Sequence, residues 1–353
     1  MSLNLETRLG GLVLPSPVIV GACPLTAKEN VRLAIESAGA GAIVLPSLFE
    51  EQVALWNQRN RREPVVGERP LRERAAKHDF DLQWHDAETY LSFVNRASVQ
   101  STIPVIASLN GSRSEVWVDF ARELEDTGAH AIELNLTIAD FDGYESAAAI
   151  EDEICQSVAA IDSVVDIPVF AKLPPLFTSV GHLARRIQSG VQGVVLFGPE
   201  PDMDLCLDDL HFQCRWGLTE KGSVVHSLRR LTQVHAMCPS IPMIANGGIG
   251  STEDAIKALL SGADAVMVTS AIYREGPSVI RTILDGLVQF MNSHSVTGMR
   301  QLAAMRPVPG DWEKRRLGYI AALTTKVEAE PKSKDCGRVS GDRWGHVGTL
   351  GSA

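Results

Sequence analysis

The chain has 353 residues, 45% hydrophobic and 22% charged, with a net charge of −10. That length holds one large domain or two average ones and can bury a large core. The acidic balance argues against a nucleic-acid surface, which needs clustered Lys and Arg; the small group Arg59, Arg61 and Arg62 reads as a solvated loop.

The N-terminal stretch MSLNLETRLGGLVL has no apolar segment of the length a secretory leader uses. No run reaches the ~18 apolar residues of a membrane helix. The expectation is a cytoplasmic protein with its six scattered cysteines reduced. LETRLGGLVLPSP then reads as a small hairpin capping the floor of the main domain. After it, eight short Val- and Ile-rich runs occur at 18–22, 42–46, 104–108, 131–135, 168–173, 194–198, 242–246 and 265–269. They show little polar alternation, as strands buried on both faces do. Between them lie helical stretches such as KENVRLAIESAG, SEVWVDFARELEDTG, SVGHLARRIQSG, GSVVHSLRRLTQVH and STEDAIKALLSG. Several end in Gly, and the last starts on Ser251-Thr252 with acidic residues in its first turn.

Eight strands alternating with helices predict a (β/α)8 TIM barrel with a short N-terminal hairpin. A doubly wound open sheet ranks second, since no G-x-G-x-x-G follows the first strand. The barrel domain is expected over 1–292. It carries an insertion at about 48–88 that reads either as an active-site cover or as a packing excursion. Residues 293–353 are expected to form a helical extension and, from 328 on, a disordered tail. Cys206, His211 and Cys214 fall within nine residues, but without a paired C-x-x-C they read as isolated thiols in a loop, and no metal is expected.

Barrel chemistry lies at the carboxyl ends of the strands. Those ends read Ala22-Cys23, Pro46-Ser47, Ser108-Leu109-Asn110, Asn135-Leu136-Thr137, Lys172, Gly198, Asn246-Gly247-Gly248 and Thr269-Ser270. They offer one cation, Lys172, and neither a carboxylate pair nor a metal triad, which disfavours glycosidase or metal-hydrolase chemistry. Gly247 and Gly248 after the seventh strand, with Thr269 and Ser270 after the eighth, offer bare amides and hydroxyls where this fold commonly binds phosphate. Lys172 suits a Schiff base, a charge held against a cofactor ring, or a lysine paired to a carboxylate in the core. Asn110 and Asn135 beside it suit a flat heterocycle with several donors and acceptors, a flavin more than a sugar phosphate.

These stretches resemble the dihydroorotate dehydrogenase family of flavin barrels over most of residues 5–290. The resemblance rests on LETRLGGLVLPSPVIVGACPL, IELNLT, PVFAKLPP and, most specifically, IPMIANGGIGSTEDAIKALLSGADAVMVTSAIYREGP. It implies FMN as cofactor, a small-molecule substrate such as dihydroorotate, a role in pyrimidine biosynthesis, no membrane association and a homodimer. By position it implies that Ala22 and Cys23 touch the flavin and that Ser47, Asn110 and Asn135 hold its rings. Lys172 would face the N1/O2 edge, and Gly247, Gly248, Thr269 and Ser270 would bind the phosphate.

The substrate half departs from the family. Where the family has a Cys or Ser base in the loop after the fourth strand, this chain has Ile138, which cannot accept a proton; Thr137 beside it is a weak candidate. Asp140 replaces an asparagine that grips orotate, Pro46 a lysine, and Gly198 a substrate-binding asparagine. The expected activity is therefore a flavin-dependent CH–CH dehydrogenase with an altered substrate or reduced turnover. Competing readings are a phosphate-binding lyase or aldolase using Lys172, and a catalytically weak flavin-binding homologue.

Overall fold

A computed structural model describes residues 3–60, 68–76, 86–111, 114–136, 146–198, 201–308, 312–324, 327–328 and 340–341. The chain divides into a unit at Met1–Pro307 and a second at Val308–Ala353.

The first unit opens with a hairpin, β1 (Thr7–Leu9) and β2 (Leu12–Leu14). Gly10 and Gly11 join its strands at φ +52° and +95°, the left-handed pair that a two-residue hairpin turn requires. Eight parallel strands follow: β3 (Val18–Val20), β4 (Ala42–Phe49), β5 (Val105–Gly111), β6 (Ala131–Leu136), β7 (Val169–Leu173), β8 (Gly193–Leu196), β11 (Met243–Asn246) and β12 (Ala265–Val268). They close in chain order, with β12 pairing back onto β3, so the barrel expected from the eight apolar runs is the fold and the open sheet is excluded. Between β8 and β11 the chain makes an antiparallel ribbon, β9 (Asp202–Leu205) and β10 (Phe212–Arg215), where the sequence had suggested a loop.

The helices of this unit are α1 (Glu29–Ser37), α2 (Glu50–Arg59), α3 (Glu68–Ala75), α4 (Ala87–Gln100), α5 (Ser114–Asp126), α6 (Ala147–Asp162), α7 (Val180–Ile187), α8 (Val225–Met237), α9 (Thr252–Leu260), α10 (Ser270–Glu275), α11 (Ser278–Ser293) and α12 (Met299–Ala304). Side-chain caps start three of them: Asp86 accepts from Thr89 N, Ser146 from Ala149 N and Ser251 from Asp254 N. The turns after α1, α5 and α9 use Gly39, Gly128 and Gly262 at positive φ, as their repeated Gly-stop pattern foretells. Described parts of the 48–88 insertion are α2 and α3. Buried Trp56 of α2 packs edge-on against Phe120 of α5, ring centroids 5.3 Å apart, so α2 is a packing element of the barrel wall. The second unit contributes α13 (Trp312–Thr324) and a two-residue strand pair, β13 (Val327–Glu328) with β14 (Ser340–Gly341). Most of the tail expected to be disordered lies outside the described residues.

Inside the barrel, Ile19, Val44, Ile106, Phe170, Val195, Ile244 and Met267 form an apolar plug, joined by Leu9, Leu12 and Leu14 of the hairpin. The hairpin thus closes the amino-terminal end of the strands, as the sequence suggested. Alternation along the strands then directs Ser108, Asn110, Glu133, Asn135, Lys172 and Asn246 into the barrel above that plug.

One irregularity matters for the site. The β4–β5 register shifts between Val44 and Ser47. Pro46 sits in the shift, and having no N–H it cannot continue the ladder. The hydroxyl of Tyr90, on α4, compensates: it lies 2.9 Å from Pro46 O and 3.1 Å from both Ser108 O and Ser108 N. The shift also turns Ser47 inward, out of the strict alternation set by Ala42 and Val44. Tyr90→Phe removes the hydroxyl that serves three buried backbone groups. We expect it to lower unfolding free energy by about 1–3 kcal/mol, read from urea denaturation.

Candidate active site

Where the strands end, the inward side chains change from apolar to polar in two tiers. The lower tier is fully enclosed. Ser108 Oγ donates to Glu133 Oε1 at 3.1 Å, and Lys172 Nζ lies 3.6 Å from the same oxygen. Glu133 is 1% exposed and Lys172 5%. Among the described residues, the buried Glu133 Oε2 has no hydrogen-bond partner. Ser47 Oγ reaches Ser108 Oγ at 2.8 Å, linking this tier to the upper one. Strand register explains the proximity, since Ser47 lies opposite Ser108, Ser108 opposite Glu133, and Asn135 opposite Lys172.

The upper tier is half-buried: Ser47, Asn110, Asn135, Gly247, Thr269 and Ser270. Gly198 packs against it. A Cβ built on Gly198 would stand 3.5 Å from Asn135 Oδ1 and 3.6 Å from Lys172 Cε, in ordinary contact with both groups. Asn246 is held back, its Nδ2 donating to Phe197 O at 2.6 Å.

The two glycines after β11 have different jobs. Gly248 has φ +73°, and a Cβ there would fall 2.2 Å from Val224 N and 2.5 Å from Ser223 C. Its amide donates to Thr219 Oγ1 at 3.2 Å. Gly248 is therefore a close-packing residue, and the amide that the sequence assigned to an anion already has an acceptor. Gly247, at φ +92°, faces open space with no heavy atom within 4 Å of a built Cβ. Thr219 also donates to Ser270 Oγ from both its N and its Oγ1, each at 3.0 Å. Arg274 ties the same segment down through Leu218 O and Thr219 O. Thr269 packs on Gly21, where a Cβ would lie 2.5 Å from Thr269 Oγ1.

Ala22 is half-buried and Cys23 buried at the end of β3. Burial raises the Cys23 thiol, although Tyr273 and neighbouring amides oppose this in part. Burial, with Cys23 beside it, pushes Tyr273 up to about 12. A thiol held protonated at neutral pH is a poor proton acceptor.

The ten predicted binding residues thus gather at one end of the barrel. Thr137, Ile138 and Asp140 lie outside the described residues. Sequence reasoning missed Glu133, Ser108 as a side chain, and Thr219. Glu133 and Ser108 each stand two positions before a predicted asparagine on the same strand, so strict alternation could have found both. Thr219 has no local signal. A cavity of about 770 Å3, lined by Asn4, Arg8, Asp264, Gly298 and Arg306 among others, lies at the opposite end. None of its lining residues comes from a strand's carboxyl end, where barrels of this type hold their chemistry.

The family profile described as dihydroorotate dehydrogenase matches residues 81–291. The chain belongs to the dihydroorotate dehydrogenase family. It is 31% identical over 210 residues to an Aeropyrum pernix protein provisionally named dihydroorotate dehydrogenase A (fumarate), covering 58% of this chain and 66% of that one. It is 24% identical over 303 residues to the Thermoplasma acidophilum protein named dihydroorotate dehydrogenase B (NAD(+)), catalytic subunit, covering 84% and 97%. The protein of that name from Pyrococcus horikoshii is 26% identical over 312 residues, covering 85% and 97%. Among the described residues no helix is long and apolar enough to cross a membrane.

The Lys172–Glu133 contact makes a quantitative prediction. Lys172→Met strands a buried carboxylate and should cost about 3–5 kcal/mol in chemical denaturation. Adding Glu133→Gln should recover part of that loss. If the double variant were no more stable than the single, the two side chains would not be coupled.

Proposed function

We propose that this protein is an FMN-dependent oxidoreductase acting on a CH–CH bond, built on the dihydroorotate dehydrogenase plan with an altered substrate half. The supporting observation is the buried Lys172, fixed by Glu133 and flanked by inward Asn135 and Asn110, at the barrel mouth. These residues suit a flavin mononucleotide. The half-buried amides present donors and acceptors to a flat ring. Lys172 offers positive charge for its N1/O2 edge, and the open face of Gly247 admits a phosphate beside Thr269 and Ser270. When bound, flavin supplies the two-electron acceptor for a hydride. The chain's own part is to hold that ring, exclude water below it with the apolar plug, and orient a small substrate above it.

Lys172 fits this role better than a Schiff base. Lys172 is 5% exposed and its Nζ is engaged by the Glu133 carboxylate at 3.6 Å, so the amine is placed to lend charge from beneath a ring rather than to reach a carbonyl carbon. The substrate side lacks what dihydroorotate oxidation needs. Ile138 stands at the base position, Thr137 is a weak substitute, and Asp140 adds negative charge near an anionic substrate. General-base help is worth about 10²–10⁴-fold, so turnover of dihydroorotate should be slow by that factor. The reading extends to a cytoplasmic homodimer, with the flavin site in residues 1–292 and an extension over 293–353.

The absorbance spectrum of the purified protein, followed by anaerobic addition of dihydroorotate, tests this directly. The expected result is a yellow protein that bleaches slowly or not at all. A colourless protein that also fails to take up added FMN would refute the flavin reading and restore the lyase. Ile138→Cys should raise the rate of flavin bleaching by dihydroorotate by up to about 10²–10⁴-fold. An unchanged rate would place the substrate change elsewhere in the site.

A further inference from the structure

The β9–β10 ribbon pairs with no other strand among the described residues. Its strand residues are exposed or half-buried, with Met203 70% and Phe212 69% exposed. An isolated two-stranded hairpin is marginally stable in water. Its own ties are few: Arg215 Nη1 meets Asp204 Oδ2 at 2.8 Å, and Cys206 N donates to His211 O at 2.9 Å, closing the loop that joins the strands.

That loop brings together three side chains of metal-binding type. The ligand atoms of Cys206, Asp209 and His211 all lie within 4.8 Å of one another, and His211 Nδ1 is 2.6 Å from Asp209 Oδ1. Cys214, which the sequence grouped with Cys206 and His211, instead pairs with Met203 across the ribbon and is not in the cluster. Asp209 takes its place.

We propose that Cys206, Asp209 and His211 form a binding site for a divalent transition metal of the zinc class, which clamps the ribbon's loop. The donor set is one thiolate, one carboxylate and one imidazole, the types that Zn(II) prefers. Thiolate and carboxylate together cancel the ion's charge. Bonds of about 2.0–2.3 Å in tetrahedral array place ligand atoms roughly 3.3–3.7 Å apart. Asp209 and His211 are exposed and Cys206 half-buried, and they reach that spacing by small rotations: the Asp209–His211 contact opens to admit the ion, and Cys206 moves in as its thiol proton goes to solvent. All three ligands come from six consecutive residues, so little chain entropy is lost on closure. The fourth position faces solvent and takes water.

The test uses the full-length protein, stripped with a chelator and then titrated with CoCl2, difference spectra being taken against the same sample before cobalt. We expect one cobalt per chain with a thiolate-to-cobalt charge-transfer band, displaced by equimolar ZnCl2. Cys206→Ser should abolish the band, and His211→Ala should weaken binding at least about 100-fold. Cys214→Ser should leave both unchanged. Zinc should also slow protease cleavage within residues 202–215 in the parent protein but not in Cys206→Ser. The site is refuted by absence of saturable binding, by a band that survives Cys206→Ser, or by one lost with Cys214→Ser.

Discussion

Lys172 and Glu133 meet at 3.6 Å across neighbouring strands, above a barrel interior that is otherwise apolar, and the geometry of the site depends on that contact. A charge enclosed by protein must be matched, and the match fixes where both side chains stand. Glu133 Oε1 is shared between Lys172 and Ser108, so three strands are tied at one level. Ser47 joins through Ser108 because the register shift at Pro46 turns it inward, and Tyr90 satisfies the backbone that the shift leaves unpaired. The amides one tier above, Asn110 and Asn135, are thereby set at a defined height over a rigid base.

Much of this was readable in the sequence. Parallel strands buried on both faces have to be continuous apolar runs, so all eight could be found without a partner in view. Gly39, Gly128 and Gly262 were legible because a helix that turns back tightly into a strand uses positive φ. What escaped was what depends on a neighbour. Ser47 was placed at the site by resemblance alone; that it faces inward is decided by pairing with β5, since its own strand's alternation points the other way. Glu133 looked like an ordinary strand residue because its cation lies 39 positions on, at Lys172. The β9–β10 ribbon has strands of only four residues, too short for periodicity to separate from a loop.

The two glycines after β11 stand in different surroundings. Both glycines were assigned to anion approach. The backbone at Ser223 and Val224 fills the space beside Gly248, and Thr219 takes its amide, so that glycine serves the packing of the 219–224 segment. Gly247 alone keeps open space beside it. One residue packs closely, its neighbour is left open, and Thr219 joins both strand ends by bonding Gly248 and Ser270 together. A phosphate reading that counts glycines overstates the number of free amides.

Stability alone does not account for the polar tier. Buried ion pairs are weak stabilisers, and replacing one with well-packed apolar side chains is often neutral or favourable by about 1–4 kcal/mol. The tier just below achieves such filling with Ile, Val, Phe and Met. An orphaned carboxylate oxygen adds a further penalty that hydrophobic packing would avoid. A barrel that carries a buried lysine, a half-satisfied glutamate and two inward asparagines at its chemical end has given up stability there, and strain of that kind belongs to sites that bind.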